Sequence, residues 1–162
     1  MADFVAPKEG RIAVGSDHAG FAYKQRIVAE LSGRGIRAHD FGAHSEAPSD
    51  YVDYALEVAG VVAAGEFDFG ILICGSGVGM AIAADKVRGI RAALCGDTYT
   101  ARMCREHNDA NVLVLAERVL GWEVALDIVR EWLNTPFSGE ERHERRLDKI
   151  RHAEETFGHL DA

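Results

Sequence analysis

The stretch Ile71-Leu-Ile-Cys-Gly-Ser-Gly-Val-Gly79 decides how the rest of the chain is read. Ile71, Leu72 and Ile73 form a short apolar run, the pattern of a strand buried on both faces. The run stops at Cys74, and glycines follow at positions 75, 77 and 79. Alternating glycines let the backbone enter left-handed conformations and turn successive N–H groups toward one point. Such a concavity binds anions, the more so where a helix begins, and residues 80–87 read as that helix. A thiol therefore stands at the lip of an expected anion cradle. The plainer reading, a small buried cysteine before a structural turn, stays open on this stretch alone.

Outward from this centre the pattern alternates. Residues 11–15 read as a first strand, left by the polar loop Ser16-Asp-His-Ala-Gly20. Residues 21–31 place Phe21, Ile27, Val28 and Leu31 near one helical face, ended by Ser32-Gly-Arg-Gly35. Residues 36–41 form a weak strand, polar enough for a sheet edge. Ser49 or Asp50 caps a helix over 51–64, and the central strand begins near Phe69. Beyond the glycine loop come a strand over 90–95 and a helix from Asp97 or Thr98 to His107. Asn108 suits the left-handed exit of that helix. A fifth strand covers 111–115, an amphipathic helix 122–133, and Ser138 with Glu141 predicts a capping box for a last charged helix over 139–157.

Strands alternating with helices predict an α/β fold: three αβα layers around a Rossmann-like, five-stranded parallel sheet in a single domain. The domain spans 11–157, with an N-terminal extension over 1–10 and a tail over 158–162. Few large apolar residues (Leu147, Ile150, Phe157) anchor the last helix, which points to packing on a partner subunit. The 162 residues are 48% hydrophobic and 27% charged, a globular balance, and the net charge of −8 speaks against a general nucleic-acid binder. No apolar run reaches the roughly 20 residues of a membrane span. Residues 1–10 have neither the basic start nor the apolar core of a secretion signal. Cys74, Cys95 and Cys104 suit neither a disulfide framework nor a zinc site, so a cytoplasmic, reduced protein is expected.

In open parallel sheets ligands bind beyond the carboxyl ends of the strands, where strand order reverses. The loops there carry Asp17 and His18, then Cys74 with the glycine loop, then Arg118. The helix after strand four ends at Arg105-Glu-His-Asn108, and Arg142 and Arg146 lie four apart on one face of the last helix. Each has a plain alternative. Asp17 reads equally as a turn residue and His18 as a surface loop residue. His107 and Asn108 also fit ordinary helix-end chemistry, and the two arginines fit a solvated face among Glu140, Glu141, Glu144 and Asp148. Together they are an acid, a base, a thiol, an anion cradle and paired arginines, a set suited to proton transfer on a phosphorylated substrate.

Gly15-Ser-Asp-His-Ala-Gly-Phe21, Asp50-Tyr51, Cys74-Gly-Ser-Gly-Val-Gly79, Ala83-Ala-Asp-Lys86, Arg105-Glu-His-Asn108 and Arg142-His-Glu-Arg-Arg146 together resemble the type B ribose-5-phosphate isomerases. That family includes galactose-6-phosphate isomerase subunits and related sugar-phosphate isomerases, and the resemblance runs from about residue 11 to 150. It implies an aldose–ketose isomerase working through an enediolate. Cys74 matches the base and His107 the ring-opening acid, with Asp17 assisting. Gly75, Ser76, Gly77, Val78 and Gly79 match the oxyanion loop, in which Ser76 helps move protons. Asn108 matches a sugar-hydroxyl ligand, His18, Arg142 and Arg146 the phosphate site, and Tyr51 and Arg118 further contacts. The resemblance also implies a homodimer with a shared site, dimers pairing into tetramers being open, and no metal or organic cofactor.

A second branch of the family takes a Glu at the end of the glycine loop as base; here that position is Met80, which leaves the cysteine. Asp85 stands where Asn is frequent, and Val52 where Pro is usual. Ribose 5-phosphate is the first substrate expected, with tetrose and hexose phosphates behind it, and a sugar-phosphate sensor without turnover as the non-catalytic reading. A thiol phosphatase would need Arg six residues after Cys74, the position held by Met80. A dinucleotide loop would follow the first strand, with its third glycine one place further on.

Overall fold

The computed structural model describes residues 11–158; the expected extension over 1–10 and all of the expected tail except Gly158 lie outside them. Five parallel strands run in the order β2-β1-β3-β5-β4. They are β1 (Arg11–Ser16), β2 (Arg37–Asp40), β3 (Phe69–Cys74), β4 (Ala92–Leu94) and β5 (Val112–Ala116). The helices are α1 (Phe21–Gly33), α2 (Tyr51–Ala63), α3 (Val78–Ala84), α4 (Thr98–Asn108), α5 (Trp122–Asn134) and α6 (Glu141–Phe157), with a 3-10 turn at His18–Gly20.

The strands read as continuous apolar runs because helices cover both faces. Ile12, Val14, Ile71, Ile73, Leu113 and Leu115 point to one side, with Ile27 and Leu31 of α1, Ala101 of α4 and Ile128, Val129 and Trp132 of α5. Ala13, Leu72, Cys74, Val112 and Val114 point to the other, against Ala55, Val58 and Ala59 of α2 and Met80, Ala83 and Ala84 of α3. Polar β2 is an edge strand, as expected, with half-buried residues alternating with exposed ones.

Helix ends differ from the sequence reading at several points. The left-handed helix exit is Asp109 (φ 46°), one residue past Asn108. The Asp109 carboxylate accepts from Arg91 and Arg105, which holds the turn there. The capping box at α6 is not formed. The Ser138 hydroxyl accepts from Glu140 N–H instead, and Glu140 takes the cap position without a side-chain bond. At α2, Asp50 holds the cap position, but its side chain makes no capping bond.

β1 connects outward to β2, whereas β3 lies on its other side and leads toward β5 and β4. The strand order therefore reverses between β1 and β3, and the loops leaving these two neighbours diverge to open a crevice.

Candidate active site

That crevice is a cavity of about 360 Å³, lined by Asp17, His18 and Ala19 from the β1 loop, Cys74, Gly75, Ser76 and Gly79 from the β3 loop, Tyr51 at the start of α2, and Arg118 and Val119 after β5. Cys74 sits at the carboxyl end of β3 and is 5% exposed. Its Sγ accepts a hydrogen bond from Gly77 N–H at 3.1 Å. Gly77 adopts φ 76°, a left-handed conformation open to glycine at little cost, and this turns its N–H back on the sulfur. The helix behind it, α3, starts at Val78, two residues earlier than expected.

The other walls are tied to this loop by backbone bonds. Glu117 N–H donates to Cys74 C=O at 3.0 Å and Arg118 N–H to Gly75 C=O at 3.1 Å. A side chain at Gly75 would meet Arg118 Cδ and Nε at 3.2 and 3.3 Å, so the arginine stem lies over the loop. A side chain at Gly79 would strike the Tyr51 ring at 2.7 Å, so the missing Cβ is what lets the ring close that side.

Asp17 is both a turn residue and a wall of the site. Its Oδ1 accepts from Ala19 N–H (2.9 Å) and Gly20 N–H (3.1 Å), which shapes the 3-10 turn. His18 Nδ1 accepts from Ser49 N–H at 3.2 Å. The same nitrogen lies 3.3 Å from the Ser49 carbonyl oxygen, so the Ser49 backbone fixes the ring from its Nδ1 side.

Glu117 was not among the expected site residues. Its Oε2 accepts from Tyr23 N–H at 2.9 Å in the first turn of α1, which ties β5, β3 and α1 around the cavity. Burial raises its pKa above the usual carboxylate value, with the Asp17 charge adding to the effect and Tyr23 N–H opposing it.

His107, Asn108, Arg142 and Arg146 do not line this cavity. Sequence reasoning placed them with the other loops, and the helix direction overrules that. In a parallel α/β fold each helix runs back against its strands, so α4 ends at the amino edge of the sheet. Asn108 C=O accepts from Arg91, just ahead of β4, and Asn111 C=O accepts from Gly70 N–H at the start of β3. The start and end of six-residue β3 are roughly 16 Å apart at ~3.3 Å per residue. The first turn of α6 joins this far edge: Ser138 N–H donates to Glu106 C=O, and the His143 ring stacks on that of His107. Arg142 Nε lies 2.7 Å from Glu140, with the arginine side chain 58% exposed. The described chain thus carries two clusters at opposite edges of one sheet, one with the thiol and loop, the other with His107, Asn108 and the paired arginines.

Residues 12–150 match the family described as Ribose/Galactose Isomerase. The chain belongs to that family. Among the relatives of this ribose/galactose isomerase family chain, ribose-5-phosphate isomerase B of Escherichia coli is 49% identical over 140 residues, 86% of this chain and 93% of that one. The solved ribose-5-phosphate isomerase B of Clostridium thermocellum superimposes with a TM-score of 0.89 at 51% identity, covering 91% of this chain and 99% of the other. That of Mycoplasma genitalium with bound ribulose-5-phosphate gives a TM-score of 0.85 at 40% identity, covering 90% and 97%. Among the described residues no group of three or more His, Cys, Asp or Glu is placed to hold a metal ion. No described helix is long and apolar enough to cross a membrane.

Proposed function

We propose that the protein interconverts ribose 5-phosphate and ribulose 5-phosphate, with Cys74 as the base. The observation that carries this reading is the Cys74 sulfur on the cavity wall, with the Gly77 N–H aimed at it from an anion-binding loop. After ring opening, the Cys74 thiolate takes the proton from C2 and returns it to C1. N–H groups of residues 75–79 hold the charge that develops on the enediolate oxygens. One such donor is typically worth about 2.7–4 kcal/mol of transition-state stabilisation. Ser76 moves a proton between the two oxygens. His107 opens the ring by protonating O4 as the C1–O4 bond breaks, while the C1 hydroxyl proton passes to solvent. Asp17 assists there, Asn108 and Tyr51 hold sugar hydroxyls, and His18 with Arg118, Arg142 and Arg146 holds the phosphate.

This assignment needs the far-edge cluster of one chain beside the thiol cavity of another, so a homodimer with two shared sites is part of it. Support comes from exposed apolar side chains on α2, α3, β4 and α4: Leu56, Val78, Ile82, Leu94 and Tyr99 are between 41% and 64% exposed in the single chain. A second copy placed against them would bury that surface. The free thiols of Cys95 and Cys104, 3.8 Å apart, favour a reduced, cytoplasmic setting.

The test is turnover of ribose 5-phosphate by the protein and by its Cys74→Ala variant, beside four- and six-carbon aldose phosphates. Pentose turnover that vanishes in the variant supports substrate and base together. Turnover of a tetrose or hexose phosphate alone changes the substrate. Binding without turnover of any sugar leaves a sensor.

A further inference from the structure

The last turn of α4 and the first turn of α6 meet through two imidazoles. The ring centroids of His107 and His143 are 4.2 Å apart, with the planes 9° from parallel. His143 is 2% exposed, and neither of its ring nitrogens has a hydrogen-bond partner among the described residues. Buried polar atoms are ordinarily satisfied, and an apolar ring would fill this space at lower cost. An imidazole here therefore calls for a reason beyond packing.

The charges around the pair come from both helices and the turn before α6. Glu106 Oε1 lies 4.0 Å from His107 Nε2. Arg142 and Arg146 on α6, and Glu140 just ahead of it, face His143. Burial holds the His143 pKa below its ordinary 6.5; His107, Arg142 and Arg146 push the same way, and Glu140 opposes them. The stack itself is what couples the two side chains, with the His143 ring laid flat on that of His107.

We infer that His143 is a positioning residue for His107, fixing the plane of its imidazole. The inference rests on the proposed role of His107 as the ring-opening acid. An imidazole at a helix end otherwise turns freely about its broad χ2 torsion. A proton donor must be held within hydrogen-bond reach of the atom it serves, so a flat partner ring selects the working orientation.

Ribulose 5-phosphate separates this step from the proton transfer at carbon. Its C5 oxygen is esterified, so its C2 carbonyl has no hydroxyl placed to close a five-membered ring, and it arrives open. Exchange of its C1 proton with solvent deuterium needs the base but no ring opening; ribose 5-phosphate needs both. His143→Ala is expected to lower kcat on ribose 5-phosphate about 10- to 100-fold, the scale of a misplaced reacting group. C1 exchange should stay within about twofold of the parent, since the base is untouched. His143→Phe restores a flat ring and should recover most of the lost turnover. Equal loss of both rates in His143→Ala, or parent-like turnover in it, overturns the inference. His107→Ala separates the two readings. If it retains ring opening, the role of His107 falls and the inference with it. If it loses ring opening while His143→Ala does not, only the inference falls.

Discussion

Gly77 donates its backbone N–H to the Cys74 sulfur at 3.1 Å from a left-handed conformation (φ 76°). The two residues therefore act as a unit, because the donor direction depends on a backbone angle that side-chain-bearing residues avoid. At Gly77 an added Cβ would stand 2.2 Å from Leu94 Cδ1. Leu94 is 41% exposed and can swing aside, so the remaining cost is the backbone. Gly77→Ala should lose about 1–2 kcal/mol of stability, the left-handed penalty. Its kcat should fall about 100-fold as the donor turns away. Urea unfolding and steady-state kinetics check both; parent-like kcat would remove this N–H from the mechanism.

Gly20 presents a harder contact. A Cβ there would lie 2.2 Å from the Ile73 carbonyl oxygen, a backbone atom that cannot swing aside as a side chain does. Gly20→Ala should push the Asp17–His18 loop away from β3 and cost about 1–3 kcal/mol, the range for overpacking. Because His18 moves with that loop, KM for the sugar phosphate should rise along with the stability loss. Calorimetry and kinetics on the same sample test this, and an unchanged KM would detach His18 from phosphate binding.

Lys24 is fully buried on α1, and its Nζ donates to Asp40 at 2.6 and 2.8 Å and to the Ala43 carbonyl. The pair pins the segment after β2, whose Gly42 carbonyl accepts from Ser16 N–H next to Asp17. Lys24→Met fills the volume but leaves Asp40 without its partner. Breaking a buried pair typically costs about 3–5 kcal/mol. The Asp40 side chain is 33% exposed and regains water, so a loss of about 2–3 kcal/mol is expected. The denaturation midpoint measures it; an unmoved midpoint would mean that the ion pair adds nothing.

Asp85 gives a pH-dependent prediction. Its pKa is raised above the model-compound value of 3.8, first by burial and then by Glu154, against Ala92 N–H and Lys86. A raised folded pKa means that the folded state holds the proton more tightly than the unfolded state. Stability from this group is present below the unfolded pKa and is lost as pH rises through the folded one. Asp85→Asn keeps an acceptor for Ala92 N–H, now made at 2.7 Å, without the charge. It should be more stable than the parent at neutral pH, with the gap closing toward acid. Melting curves across that range decide the matter: a gap that widens on acidification contradicts the sign.

Much of the architecture was legible because its signals are local. The apolar run into β3 was read from consecutive residues, and so were the three glycines after it, the polar β2 and the cap at Asp97. The Cys74 cavity with Asp17, His18 and Arg118 followed from one general rule about parallel sheets, and Tyr51 from the family resemblance. Where the helix exit slipped by a residue, a partner from outside the helix takes part: Arg91, ahead of β4, joins Arg105 of α4 on the Asp109 carboxylate.

By itself the sequence determined the class of fold and the glycine loop with a thiol at its lip, since periodicity and glycine spacing are written within a few residues of one another. Only the tertiary structure decided that β5 lies between β3 and β4, and that α4 carries His107 to the sheet edge opposite Cys74. It also decided that Lys24 is buried against Asp40, and that His143 is laid flat on His107. The reason is physical. These arrangements come from burial and direction summed over contacts between residues far apart in the chain, and no short window of sequence carries that sum.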